Sequence, residues 1–240
     1  MSLLSTKNIP PAERLMLALD VPTPEQGREM VESLGDAVRF YKIGLELFMA
    51  GGYWELVDWL VAREKKVFVD LKFFDVPATV AGAVKRLNGR GVTFCTVHGN
   101  DSMLRAACEV KETVQVLGVT ALTSLDRGDL DDLGFQCEPK ELVLSRARRA
   151  LEMGCDGVIS SGLEAPEIRN ELGPKLMVVT PGIRPVENRP ADDQKRAVDV
   201  RQAFEGGADY IVVGRPIRKA DDPRAAAEAM QATIAEIFGA

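Results

Sequence analysis

The sequence predicts an α/β protein folded as a single (β/α)8 TIM barrel spanning residues 1–240. Three observations carry that prediction. Short apolar runs rich in β-formers recur at roughly 20–35-residue intervals, helical stretches with clear start and stop signals lie between them, and no linker divides the chain. The length suits one barrel, which typically takes about 250 residues. A doubly wound open sheet is the other architecture compatible with the alternation.

The predicted strands are 15–21, 40–47, 67–74, 92–98, 114–122, 157–160, 176–180 and 210–214. They are nearly continuously apolar, as parallel strands covered on both faces are. The first helix opens on Thr23-Pro24-Glu25-Gln26, which supplies an N-cap, a proline at the first helical position and a glutamine placed to complete a capping box; Gly35 closes it. The second, 53–65, follows the Gly51-Gly52 hinge, and the third, 78–87, ends near Gly89. Segments 102–111, 139–153, 165–172, 194–204 and 223–238 complete eight helices.

Composition narrows the function. The chain is 46% hydrophobic and 28% charged, with net charge −6 and a pI near 5.1. That balance argues against nucleic-acid binding and against an anionic membrane surface. No apolar stretch approaches the ~18 residues of a membrane span, and residues 1–11 lack a signal-peptide core, so a cytoplasmic location is expected. Cys95, Cys108, Cys137 and Cys155 are scattered without C-x-x-C spacing and are expected to be reduced thiols. The single histidine, His98, excludes an H-E-x-x-H zinc site. No G-x-S-x-G, Walker loop or G-x-G-x-x-G is present.

Barrel active sites lie at the C-terminal ends of the strands, so the polar residues there are the candidates. The first strand ends at Asp20. In the second, Lys42 lies between Tyr41 and Ile43 and by alternation points inward, where an uncompensated charge is costly. The third reads Val67-Phe68-Val69-Asp70-Leu71-Lys72-Phe73-Phe74-Asp75. Alternation turns Val67, Val69, Leu71 and Phe73 to the helices and Phe68, Asp70 and Lys72 to the barrel, with Asp75 just beyond. A structural ion-pair network is the bland explanation, but apolar residues usually serve stability as well or better. Lys72 between two carboxylates is expected to stay an ammonium, which suits a proton donor or carbanion stabiliser better than a Schiff-base amine.

The seventh strand ends Thr180-Pro181-Gly182-Ile183-Arg184-Pro185 and the eighth Val213-Gly214-Arg215-Pro216-Ile217. Barrels frequently bind phosphate with these two loops. Arg184 and Arg215 can add charge-assisted bonds, and Gly182 and Gly214 permit close backbone approach. The polar, proline-rich stretch 184–193 is a lid candidate, with Gln194 at its far end able to reach a phosphate. Segment 123–128 is a second candidate wall, and His98 is expected to be a satisfied polar residue lining the barrel.

Together these features resemble the orotidine 5′-phosphate decarboxylase family. The D-x-K-x-x-D motif stands as Asp70-Leu71-Lys72-Phe73-Phe74-Asp75, followed by Val76-Pro77-Ala78-Thr79. Leu19-Asp20, the inward Lys42, 181–185, Gly214-Arg215 and Asp192-Asp193-Gln194 match in consistent order over nearly the whole chain. The resemblance implies decarboxylation of orotidine 5′-monophosphate to UMP, the last step of de novo pyrimidine synthesis, without metal or organic cofactor. It implies a homodimer in which Asp75 and Thr79 reach the neighbouring subunit's site. It assigns Lys72, Asp70, Asp75 and Lys42 to catalysis. Asp20 and Lys42 go to the ribose, Thr123 to the pyrimidine, and Arg184, Gln194, Gly214 and Arg215 to the phosphate. His98-Gly99-Asn100-Asp101 departs from the family, which usually has smaller residues after the histidine.

Two other readings share some of these features. A magnesium-dependent 3-keto-L-gulonate 6-phosphate decarboxylase has the same barrel and D-x-K-x-x-D motif; Lys42 and Asp193-Gln194 favour the orotidine reading. A non-catalytic phosphate-binding barrel is opposed by the intact Asp70, Lys72 and Asp75 set.

Overall fold

The computed structural model describes residues 2–184 and 197–239. Eight parallel strands close in chain order, β8 pairing back onto β1. The predicted barrel is therefore present, and the open sheet is not.

In chain order the elements are β1 (Leu15–Ala18), α1 (Pro24–Leu34), β2 (Phe40–Gly44), α2 (Leu45–Ala50), α3 (Tyr53–Val61), β3 (Lys66–Phe73), α4 (Pro77–Lys85) and β4 (Val92–His98). Then come α5 (Asp101–Val110), β5 (Gln115–Val119), α6 (Arg127–Asp132), α7 (Pro139–Glu152), β6 (Gly157–Ile159), α8 (Ala165–Leu172) and β7 (Met177–Thr180). Last are α9 (Val200–Glu205), β8 (Tyr210–Val213), α10 (Arg215–Arg218) and α11 (Pro223–Phe238).

Strand alternation separates two apolar layers. Leu15, Leu17, Tyr41, Ile43, Val67 and Val69 face the helices. Met16, Ala18, Phe40, Phe68 and Phe94 fill the barrel with Leu117, Val179, Tyr210 and Val212. Phe94 stacks on Phe40 at 5.4 Å between centroids and meets Tyr210 edge-on at 5.4 Å. This aromatic plug makes the barrel a packed core below its mouth. At the opposite, N-terminal face, fully buried Asp209 accepts from Ser5, Lys7, Arg169 and the Val178 amide. That network ties the N-terminal segment to the bottom of β7 and β8, away from the mouth.

Several predicted boundaries move. Residues 45–47 were expected to extend the second strand but start α2, because a short apolar run is compatible with either element. Segments 127–132 and 215–218 also form short helices. The Thr23 hydroxyl accepts the Gln26 amide at 3.3 Å, as an N-cap should, without the reciprocal glutamine bond that was expected. The lid segment, Gln194 and the start of the predicted 194–204 helix lie outside the described residues, apart from Arg184 and the part seen as α9. No helix among the described residues is long and apolar enough to cross a membrane.

Candidate active site

A cavity of about 480 Å³ opens at the C-terminal mouth of the barrel. Eight of the predicted residues line it: Asp20, Lys42, Asp70, Lys72, Thr123, Arg184, Gly214 and Arg215. They arrive from six loop or strand ends, so the barrel's closure, and no local motif, brings them together.

Charges alternate across one wall. Lys42 Nζ lies 3.3 Å from Asp20 Oδ1 and 3.2 Å from Asp70 Oδ2. Asp70 Oδ1 takes the Lys72 ammonium at 2.9 Å and the Thr96 hydroxyl at 2.9 Å. Burial alone disfavours ionised Asp70, but Lys42, Lys72 and the donated hydrogen bonds outweigh it and hold its pKa at about 2. Burial likewise disfavours the Lys42 ammonium, and the attraction of Asp70 and then Asp20 reverses the balance, raising its pKa. Asp70 and Lys42 thus hold each other in their charged forms, within a chain that alternates two aspartates with two lysines.

Lys72 reaches this wall by a route that simple alternation does not describe. Its backbone is left-handed, with φ +47°. The β3–β4 register slips at the same point: Val69 pairs with Cys95 and Phe73 with Val97, so β3 advances four residues against two. A bulge re-aims the side chain, a common device beside active sites.

Pro181, Gly182, Arg184, Gly214, Arg215 and Arg218 line the same cavity. Gly182 has φ +80°, a conformation that a side chain would strain. Arg184 is buried and donates to the Ile183 carbonyl at 2.9 Å. Thr123 is buried on the wall contributed after β5. The cavity is therefore lined by the charge-alternating chain, by three arginines from the segments after β7 and β8, and, over the barrel's inner core, by apolar Ala18, Phe68 and Val212.

Asp75 and Thr79 are not in this cavity. Both are exposed and line an outer groove with Leu45, Phe48, Phe73 and Phe74. Lys72 borders both spaces. His98 does not line this cavity either; its ring lies edge-on to Phe74 at 5.4 Å. Burial, with Arg146 and Lys72 nearby, lowers its pKa. The departure at 98–101 therefore falls beside Phe74 and spares the cavity wall.

Two site residues escaped the sequence reading. Arg218 lies one turn after Arg215 on α10, 3.9 Å from Asp20; its spacing from Arg215 was the available signal. Thr96 is fully buried on β4 between inward Phe94 and His98, and a threonine in a strand carries no signal of its own.

The sequence profile of the orotidine 5′-phosphate decarboxylase / HUMPS family matches residues 13–230. The chain belongs to that family. It is 65% identical over 237 residues to a protein of Methylococcus capsulatus named orotidine 5′-phosphate decarboxylase, covering 99% of this chain and 98% of the relative. A protein of the same name from Xanthomonas axonopodis pv. citri is 54% identical over 92% of each chain. Among solved structures, orotidine 5′-phosphate decarboxylase from Lactobacillus acidophilus superposes with a TM-score of 0.81 at 35% identity, covering 92% of this chain and 99% of that one. The family's D-x-K-x-x-D motif is thus the segment that carries the bulge, with Asp70 and Lys72 inside the mouth and Asp75 outside it. Among the described residues, no group of three or more His, Cys, Asp or Glu side chains is arranged to hold a metal ion.

Proposed function

We propose that this chain decarboxylates orotidine 5′-monophosphate to UMP and CO2, and that it does so without a metal or organic cofactor. The observation that carries this reading is the Asp20–Lys42–Asp70–Lys72 chain of alternating charges at the cavity wall. An ammonium, Lys42, occupies the space between two carboxylates that a divalent cation would otherwise need. That favours the orotidine reaction over the magnesium-dependent keto-gulonate phosphate reaction of the same family.

In this mechanism the substrate's C6 carboxylate is set beside Asp70 and the Lys72 ammonium. The bond from C6 to the carboxylate carbon breaks, CO2 leaves, and the electron pair stays on C6. Lys72 stabilises that developing charge and donates its proton to C6, giving UMP; solvent then reprotonates the amine. Asp20 and Lys42 hold the ribose hydroxyls, and Thr123 the pyrimidine edge. The phosphate goes to Arg184, Arg215 and the backbone at Gly214, with Gln194 completing that end. General acid catalysis supplies about 10²–10⁴-fold, whereas the hardest reactions need up to about 23 kcal/mol of barrier lowering. Preorganised charge and phosphate binding energy supply much of the remainder. Chromatographic analysis of the product is the test: one UMP and one CO2 per substrate consumed is expected, and an unchanged substrate would overturn the reading.

Arg215→Ala is expected to lower kcat/KM about 10²-fold although it is remote from C6, since it removes a charge-assisted bond that helps hold the reacting end in place. Unchanged steady-state kinetics would remove Arg215 from the phosphate site.

The reading includes a homodimer of single-domain barrels. Leu45, Phe48, Met49, Phe74 and Val76 are exposed around the groove that holds Asp75 and Thr79. An apolar surface of this kind marks an interaction site, and a second copy seated there would bring Asp75 and Thr79 towards the partner's Lys72 side of the mouth. Mixed dimers test the crossing. Lys72→Ala and Asp75→Asn are each expected to be inactive alone. Random reassortment should restore about a quarter of wild-type activity, because half the dimers are mixed and each holds one intact site. No recovery in verified mixed dimers would place Asp75 in its own subunit's site. The free cysteines support a reducing, cytoplasmic setting.

A further inference from the structure

We propose that Thr96 is a positioning residue for the reaction, its hydroxyl locking the left-handed backbone of Lys72 and the carboxylate of Asp70 into one arrangement. The proposal rests on the decarboxylase reading above for its assay, and on geometry for its content.

The Lys72 backbone N–H donates to Thr96 Oγ1 at 2.9 Å. The same hydroxyl donates to Asp70 Oδ1 at 2.9 Å, and Asp70 Oδ1 accepts the Lys72 ammonium at 2.9 Å. The three bonds close a ring: Lys72 backbone, Thr96, Asp70, Lys72 side chain. Thr96 is fully buried, so no water competes for its hydroxyl from the solvent side.

The left-handed conformation at Lys72 needs such a partner. A non-glycine residue there is disfavoured by about 1–2 kcal/mol, and strained positions persist only where their surroundings over-determine them. The register slip between Val69 and Phe73 takes this stretch of β3 out of simple pairing with β4, and Thr96 supplies an acceptor at the slip. A hydroxyl fits this task because it accepts and donates at once. Valine has nearly the same shape and β-preference but can do neither. The hydroxyl does not line the cavity, so it acts through Lys72 and Asp70 and not on substrate.

Three variants test this: Thr96→Val, Thr96→Ser and, should valine not fold, Thr96→Cys, whose thiol fills the space as a weak donor. Wild-type turnover in the same assay tests the decarboxylase reading separately. With Thr96→Val, kcat should fall about 10–100-fold, as for a hydrogen bond to a charged group, with KM for orotidine 5′-monophosphate within about threefold. Thr96→Ser should return kcat to within about threefold of wild type. Exchange of the Lys72 amide with solvent deuterium should accelerate in Thr96→Val and not in Thr96→Ser. A Thr96→Val enzyme with wild-type kcat, or with its loss confined to KM, or a serine variant as slow as valine, would overturn the assignment. So would unchanged Lys72 amide exchange in Thr96→Val, a readout that needs no turnover.

Discussion

Lys72→Ala is expected to lower kcat about 10⁴-fold or more while leaving the barrel folded. The side chain is asked both to stabilise the carbanion and to deliver the proton, and general acid catalysis alone reaches about 10⁴-fold. The fold should tolerate the change because Asp70 keeps Lys42 at 3.2 Å and the Thr96 hydroxyl at 2.9 Å. UMP binding, which uses the ribose and phosphate contacts, should change little. Single-turnover kinetics with saturating substrate and a thermal melt check both halves. A variant retaining a tenth of wild-type kcat would assign the proton to another group.

Asp70→Asn should damage activity and stability together. The buried carboxylate is shared by two ammoniums, so its loss leaves Lys42 and Lys72 without their common counter-charge. Removing one partner of a buried pair costs about 3 kcal/mol or more, or about 6–12 °C of Tm in a chain of this size. Loss of one preorganised electrostatic group should also lower kcat by about 10³-fold. The pH dependence has a definite sign. The folded pKa of Asp70 is depressed to about 2 from an ordinary 3.8. Its stabilising contribution, about 2 kcal/mol, is present above the ordinary value and is lost as pH falls through the folded one. Wild-type and variant stabilities should therefore converge between about pH 4 and pH 2 in denaturant titrations. A stability gap independent of pH over that range would contradict the charge assignment.

The two charged positions illustrate how far the sequence carries. Period-two alternation places Lys42 and Phe68 on the barrel's inner face correctly, because β2 and the first half of β3 are regular. It also puts Lys72 in the mouth, but for an incomplete reason. Alternation presumes extended backbone, and the backbone at Lys72 is left-handed. Nothing in Asp70-Leu71-Lys72 announces the bulge, since the residue that holds it, Thr96, lies on another strand. The absence of Asp75 and Thr79 from the cavity was foreseeable only through the family resemblance, because single-strand geometry cannot say which subunit's site a loop residue serves. The short helices α2 and α10 escaped notice because four- to six-residue segments have too little periodicity to separate helix from strand or loop.

The central claim is that a metal-free cluster of two carboxylates and two ammoniums decarboxylates orotidine 5′-monophosphate. One cuvette tests it: the purified chain, that substrate and excess EDTA, followed by the pyrimidine absorbance. The expected result is rapid, complete loss of the substrate band at a rate unchanged by later addition of Mg²⁺. No turnover, or turnover that appears only with Mg²⁺, would contradict it.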